Sequence, residues 1–140
     1  MFRRPFVLAL ACSVTAAAPL AAQITQSEYQ QRREALAARA GDAVIVALGA
    51  REPAQDYLSF YQNSPFMYLT GFREPDAALV MVRQGGALAS TLFVQPKDPA
   101  REVWTGNRLG VGGVAAATGL RGRDARSLVE GRAGAAPHHA

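Results

Sequence analysis

Cysteine is almost absent, with Cys12 the only one in 140 residues. A lone thiol closes no internal disulfide, so packing alone must hold the fold. Histidine is nearly as scarce: His138 and His139, beside the C-terminus, are the only two. The sequence has no His-Glu-x-x-His, no Gly-x-Ser-x-Gly and no phosphate-binding glycine loop. A two-metal centre needs several hard oxygen ligands converging within a few ångströms. The acids on hand, Asp42, Asp56, Glu74, Asp76, Asp98 and Glu102, fall at expected caps and turns. No catalytic residue and no metal ligand is therefore assigned in this chain, and the terminal His pair is read as tail.

Long apolar runs are also lacking. A membrane-spanning helix takes about 20 apolar residues; the stretch from Phe6 to Ala18 is shorter and holds Ser13 and Thr15. With Arg3 and Arg4 before it, and Pro19 then Leu20-Ala21-Ala22 after it, this segment reads as a signal peptide over residues 1–22. Cleavage would start the mature chain at Gln23, so the protein is expected to be exported, periplasmic or secreted, with no stable membrane span. Cys12 would leave with the leader. Charge of one sign is scarce as well. The precursor carries 15 basic and 11 acidic residues, and loss of Arg3 and Arg4 leaves 13 against 11, or +2. A nucleic-acid partner is not expected at so small a charge.

What the chain does have is a substantial apolar fraction, 49% of its residues, enough for one domain with a buried core. Thr25 or Ser27 can cap a helix that runs through Glu28 to Ala38 and stops at Gly41. Tyr29, Leu36 and Ala40 form its narrow apolar stripe. Ala43 to Leu48 is continuously apolar with three β-branched residues, which predicts a strand buried on both faces. Ala77 to Val82 predicts a second such strand, and Thr91 to Val94 a third, joined to the second by a turn at Gln84-Gly85-Gly86. Asp98-Pro99 predicts a capped short helix through Trp104 that ends at Gly106. The order helix, strand, loop, strand, strand, helix implies an α/β domain with a mixed sheet flanked by helices. Glycine crowds the last third of the chain, and poor order is expected from Gly119 onward.

Two stretches stand out. Asn63 to Ala77 places Phe66, Tyr68 and Phe72 in a segment too turn-rich for one helix; on residue chemistry it is a packed aromatic corner. Glu102 to Gly110 holds the only tryptophan, Trp104, between Glu102 and Arg108. That ring is either a core residue or an interface anchor.

The two stretches together carry a resemblance. Tyr61-Gln62-Asn63-Ser64-Pro65-Phe66-x-Tyr68-Leu69-Thr70-Gly71-Phe72-x-Glu74-Pro75-Asp76-Ala77, then Leu92-Phe93-Val94-x-Pro96-Lys97-Asp98, then Glu102-x-Trp104-x-Gly106-x-Arg108-x-Gly110, is similar to the N-terminal domain of aminopeptidase P. The helix around Glu28-Tyr29-Gln30-Gln31-Arg32-Arg33 fits the same pattern. The sequence departs from it at Tyr61, where the family usually carries arginine. The resemblance implies the creatinase/prolidase N-terminal fold, a ribonuclease-H-like α/β sandwich, over residues 23–128. Residues 129–140 are then a disordered tail or a truncation scar.

The resemblance further implies a Xaa-Pro metalloaminopeptidase that releases N-terminal residues before proline. It uses two metal ions, usually manganese, bound by two Asp, one His and two Glu of a separate C-terminal domain. That domain is missing from this chain, which alone is expected to be inactive. In aminopeptidase P oligomers the motif tryptophan reaches a neighbouring subunit's active-site pocket, which assigns that place here to Trp104 with Arg108 beside it. The partners implied are a homo-oligomer or a full-length relative, and proline-containing peptides through the parent enzyme. The alternative is a freestanding, non-catalytic module that binds a full-length relative.

Overall fold

The computed structural model describes residues 23–55 and 57–128. The leader assigned to residues 1–22, with Arg3, Arg4 and Cys12, lies outside the described residues, as do Asp56 and residues 129–140 with His138 and His139. Eight elements follow in the order α1 (Gln26–Ala40), β1 (Ala43–Leu48), α2 (Ser64–Thr70), β2 (Ala78–Gln84), β3 (Ala87–Val94), α3 (Pro99–Thr105), α4 (Gly110–Thr118) and β4 (Arg121–Asp124). The strands form one sheet in the order β1-β2-β3-β4. The first three run antiparallel, and β4 joins β3 in parallel. A parallel pair needs a crossover, and α3 and α4 supply it. This is the α/β class with a mixed sheet that the strand pattern implies.

Helix α1 starts where Thr25 Oγ1 accepts from the Glu28 amide, and stops at Gly41. Its inward face differs from the expected stripe. Arg33 and Ala37 are its buried residues, with Tyr29 half-buried one turn before them, while Leu36 and Ala40 face outward. An arginine turns inward because it has work at the end of α2: its guanidinium donates to the Leu69 carbonyl at 2.9 Å. Arg32 does the same for the Tyr68 carbonyl at 3.2 Å. Both cap carbonyls that the last turn of α2 leaves without helical partners. Burial pushes the Arg33 pKa below the usual arginine value by desolvation, partly opposed by Glu34.

Helix α2 takes up only the first half of this segment: it carries Phe66 and Tyr68 and stops at Gly71, so Phe72 lies past its end and no one helix spans the stretch. Pro65 fits its first turn, where no amide donor is missed. Gly71 ends it at φ +66°, and a Cβ there would lie 2.6 Å from the Tyr29 ring. Thr70 completes the end: its hydroxyl donates to the Phe66 carbonyl at 2.8 Å and accepts from the Phe72 amide at 3.0 Å. The same device closes α4. Thr118 Oγ1 donates to the Val114 carbonyl at 2.8 Å and accepts from the Leu120 amide at 3.2 Å, with Gly119 between. In each case the next residue, Phe72 or Leu120, drops into the core.

The poor order expected from Gly119 onward is overturned, among the described residues, by β4 at Arg121–Asp124. Gly122 is the pivot, because a Cβ there would meet the Val111 carbonyl oxygen at 2.6 Å and Val114 Cβ at 2.9 Å. The glycine lets α4 sit directly on the strand, and Val114 fills the core beneath it. Three interior or initial glycines disfavour a helix by about 1 kcal/mol each, so tertiary packing is what holds α4.

The core unites Phe66, Leu69, Phe72, Leu79, Met81, Leu92, Val94, Val114 and Leu120, with Ile45 and Ala47 at its edge. The sheet register puts Ile45, Ala47, Leu79, Met81, Leu92 and Val94 on one face. The other face is a second correction. Strand β1 is not buried on both sides: Val44, Val46 and Leu48 are 65%, 56% and 65% exposed. Paired with them, Val82 is also exposed.

Candidate functional site

The two stretches marked in the sequence occupy opposite environments. In 63–77, Phe66 and Phe72 are buried in the core as expected, and Tyr68 lies on the surface with Arg32 stacked 4.4 Å over its ring. The polar residues of this motif knit loops together. Gln62 Oε1 accepts from the amides of Ala50 at 2.6 Å and Asn63 at 3.0 Å. Its Nε2 donates to the carbonyls of Phe72 at 3.3 Å and Glu74 at 3.0 Å. Asn63 Nδ2 donates to the Leu48 carbonyl at 3.0 Å. Tyr61, where the related pattern has arginine, projects outward.

In 102–110 the ring points outward. Trp104 is 82% exposed near the end of α3, and Val103 beside it is equally open. The core alternative for Trp104 thus has no support among the described residues. Helix α3 begins as expected, with Asp98 Oδ1 accepting from the amides of Ala100 at 3.1 Å and Arg101 at 3.4 Å. None of its residues is buried.

Arg108 follows α3 and turns back to Glu52, its Nη2 donating to Oε1 at 2.5 Å. Arg101 reaches the other oxygen of the same carboxylate, Nη2 to Oε2 at 2.9 Å. The Leu109 amide donates to Glu74 Oε1 at 2.7 Å. Two carboxylates from the loops after β1 and α2 therefore hold both flanks of the tryptophan turn. In the sequence Glu74 reads as a turn and motif residue, and Glu52 carries no signal, because its partners lie 49 and 56 positions away.

Two of the hollows that border this turn flank the tryptophan helix. One, of about 70 Å3, is lined by Glu52, Glu74, Asp98, Glu102 and Arg108 among others. Within it Glu102 Oε1 is buried with no hydrogen-bond partner among the described residues. The other, about 220 Å3, lies between Trp104 and the segment carrying Pro53, Leu58 and Phe60. Trp104 lines this hollow while most of its surface stays open to solvent.

Of the remaining acids, Asp42 Oδ2 accepts from the Gly85 amide at 3.3 Å, and Asp76 lies at φ +52° with its amide bonded to the Ala50 carbonyl. Among the described residues no group of three or more His, Cys, Asp or Glu is arranged to hold a metal ion. The manganese implied by the sequence resemblance thus finds no ligand set among the described residues. No helix among the described residues is long and apolar enough to cross a membrane.

Comparison with known proteins bears on this surface. Residues 29–128 match the family described as "Aminopeptidase P, N-terminal domain". The Xaa-Pro aminopeptidase of Escherichia coli K12 is 37% identical over 93 residues, covering 63% of this chain and 21% of that protein. That of Haemophilus influenzae is 34% identical over 94 residues, 64% of this chain and 22% of that one. The solved structure of zinc-substituted E. coli aminopeptidase P in complex with product superposes with a TM-score of 0.71 at 30% identity, over 77% of this chain and 26% of that one. This chain therefore spans about a fifth of the length of these curated relatives.

Proposed function

Because the chain belongs to the aminopeptidase P N-terminal domain family, we propose that it is the assembly and substrate-access domain of a Xaa-Pro metalloaminopeptidase. The parent enzyme would release N-terminal residues before proline, with manganese and its ligands on a catalytic domain beyond residues 29–128. The observation that carries this reading is Trp104, a large ring left 82% exposed on a helix that buries nothing. Exposed aromatics of this kind dominate binding energy where a partner desolvates them. A flat indole also makes a suitable wall for a proline ring and excludes water from the bond beside it.

Arg108 adds a positioned cation at the rim, its charge partly neutralised by Glu52. In this reading Trp104 and Arg108 complete a substrate pocket on a neighbouring subunit or on a full-length relative. Oligomer formation is thus part of the function, and proline-containing peptides are met only through the assembled enzyme. Export through the 1–22 leader completes the proposal.

Purified chain incubated with Xaa-Pro peptides, with and without manganese, is expected to release no N-terminal residue. Metal-dependent release that survives repeated purification would overturn the division of labour. For export, expression in a bacterium with a working secretion route should give periplasmic protein whose intact mass begins at Gln23. Uncleaved cytosolic chain would refute it.

A further inference from the structure

We infer that Glu52 is a positioning residue for Trp104, holding the tryptophan helix in place through a shared carboxylate. Helix α3 has seven residues and buries none of them. A helix so short is not stable alone in water, and here apolar packing does not place it. What ties it to the domain is polar. Asp98 caps its start, and among the described residues Glu102 Oε1 makes no bond and Glu74 reaches only the amide after Arg108. Among the described residues Glu52 alone bonds on both sides of Trp104 along the chain, to Arg101 one turn before it on the helix and to Arg108 four residues after it.

The two contacts are not equal. Arg101 is 64% exposed, so water and salt screen its pair with Glu52. Arg108 and Glu52 are 20% and 25% exposed, and their 2.5 Å contact is the stronger, charge-assisted one. Glu52 follows β1 by four residues, and the intervening Gly49 and Ala50 bond to the Ala77 carbonyl and to Gln62. The carboxylate is therefore fixed to the sheet, and α3 is fixed to the carboxylate. Trp104 needs no contact with Glu52 to depend on it.

The consequence for binding rests on the Trp104 reading above; the tethering of α3 does not. In the full-length chain, Glu52→Gln keeps the side-chain shape and removes the charge. Amide exchange across residues 99–106 should accelerate by roughly tenfold or more, while exchange in β2 and β3 and the denaturation midpoint stay near wild type. The fluorescence anisotropy of Trp104, the only tryptophan, should fall. Arg108→Gln should do the same, and the double variant should add little to either. Should Glu52→Gln fail to fold, the Arg108→Gln comparison carries the test. Affinity for purified E. coli Xaa-Pro aminopeptidase should drop with the loss of order. If α3 loosens and affinity does not change, Glu52 keeps its positioning role and the anchor reading of Trp104 is what fails. Unchanged exchange and anisotropy in a folded Glu52→Gln chain would overturn the inference, as would loosening shared equally by β2 and β3.

Discussion

Helices α2 and α3 are built to one plan: seven residues, a proline in the first turn and a glycine at positive φ just past the end. They differ in what they bury. Helix α2 puts Phe66, Leu69 and Thr70 into the core and has its last carbonyls capped by Arg32 and Arg33. Helix α3 buries nothing, is tied down by ion pairs, and presents Val103 and Trp104 to solvent. The contrast separates two uses of an aromatic residue in one small domain. One ring holds the fold together, and the other is held out by it.

The comparison breaks most visibly at Phe66, which is fully buried. Phe66→Ala should cost about 3–5 kcal/mol in a denaturant melt, a large share of the stability of an ordinary domain. Gly71→Ala comes next. It combines φ +66° with a Cβ 2.6 Å from the Tyr29 ring, and should cost about 2–3 kcal/mol through strain and overpacking. Truncating Tyr29 in the same chain should recover part of that loss, since the ring is what the new methyl meets. Gln62→Ala strands the Ala50 amide and two carbonyls in a half-buried corner, for an expected loss of about 1–3 kcal/mol. The smallest effect is expected on the open sheet face. Val46→Thr should change stability by no more than about 0.5 kcal/mol, and should reduce any concentration-dependent self-association of the apolar strip it shares with Val44 and Leu48.

Much of this arrangement was legible because local signals and tertiary structure agree. Thr25, Gly41, Asp98 and Pro99 mark helix ends by chemistry that needs no partner, and the Gly85-Gly86 turn fixes the hairpin register. The misses share a cause. Strand β4, Arg-Gly-Arg-Asp, has no strand-forming residue and exists because β3 offers it a ladder. Helix α4 is glycine-rich and owes its order to packing on Gly122. Continuous apolar residues in β1 predicted two covered faces, yet an edge strand beside helices on one side has one face open among the described residues. Arg33 was invisible as a core residue because its value lies in the Leu69 carbonyl far along the chain. At the site, Trp104 and Arg108 were picked out by motif, whereas Glu52 becomes visible only when the loops meet.

The central claim is that Trp104 serves a partner and not the core, and one paired measurement tests it. Wild type and Trp104→Ala would each be titrated into purified E. coli Xaa-Pro aminopeptidase in the analytical ultracentrifuge, with a denaturant melt of each free chain alongside. The account predicts that the variant melts within about 1 kcal/mol of wild type, as a surface change should, and that association with the relative, or of the chain with itself, is clearly weakened. A loss of about 3–5 kcal/mol, the cost of emptying a core site, with association unchanged, would contradict it.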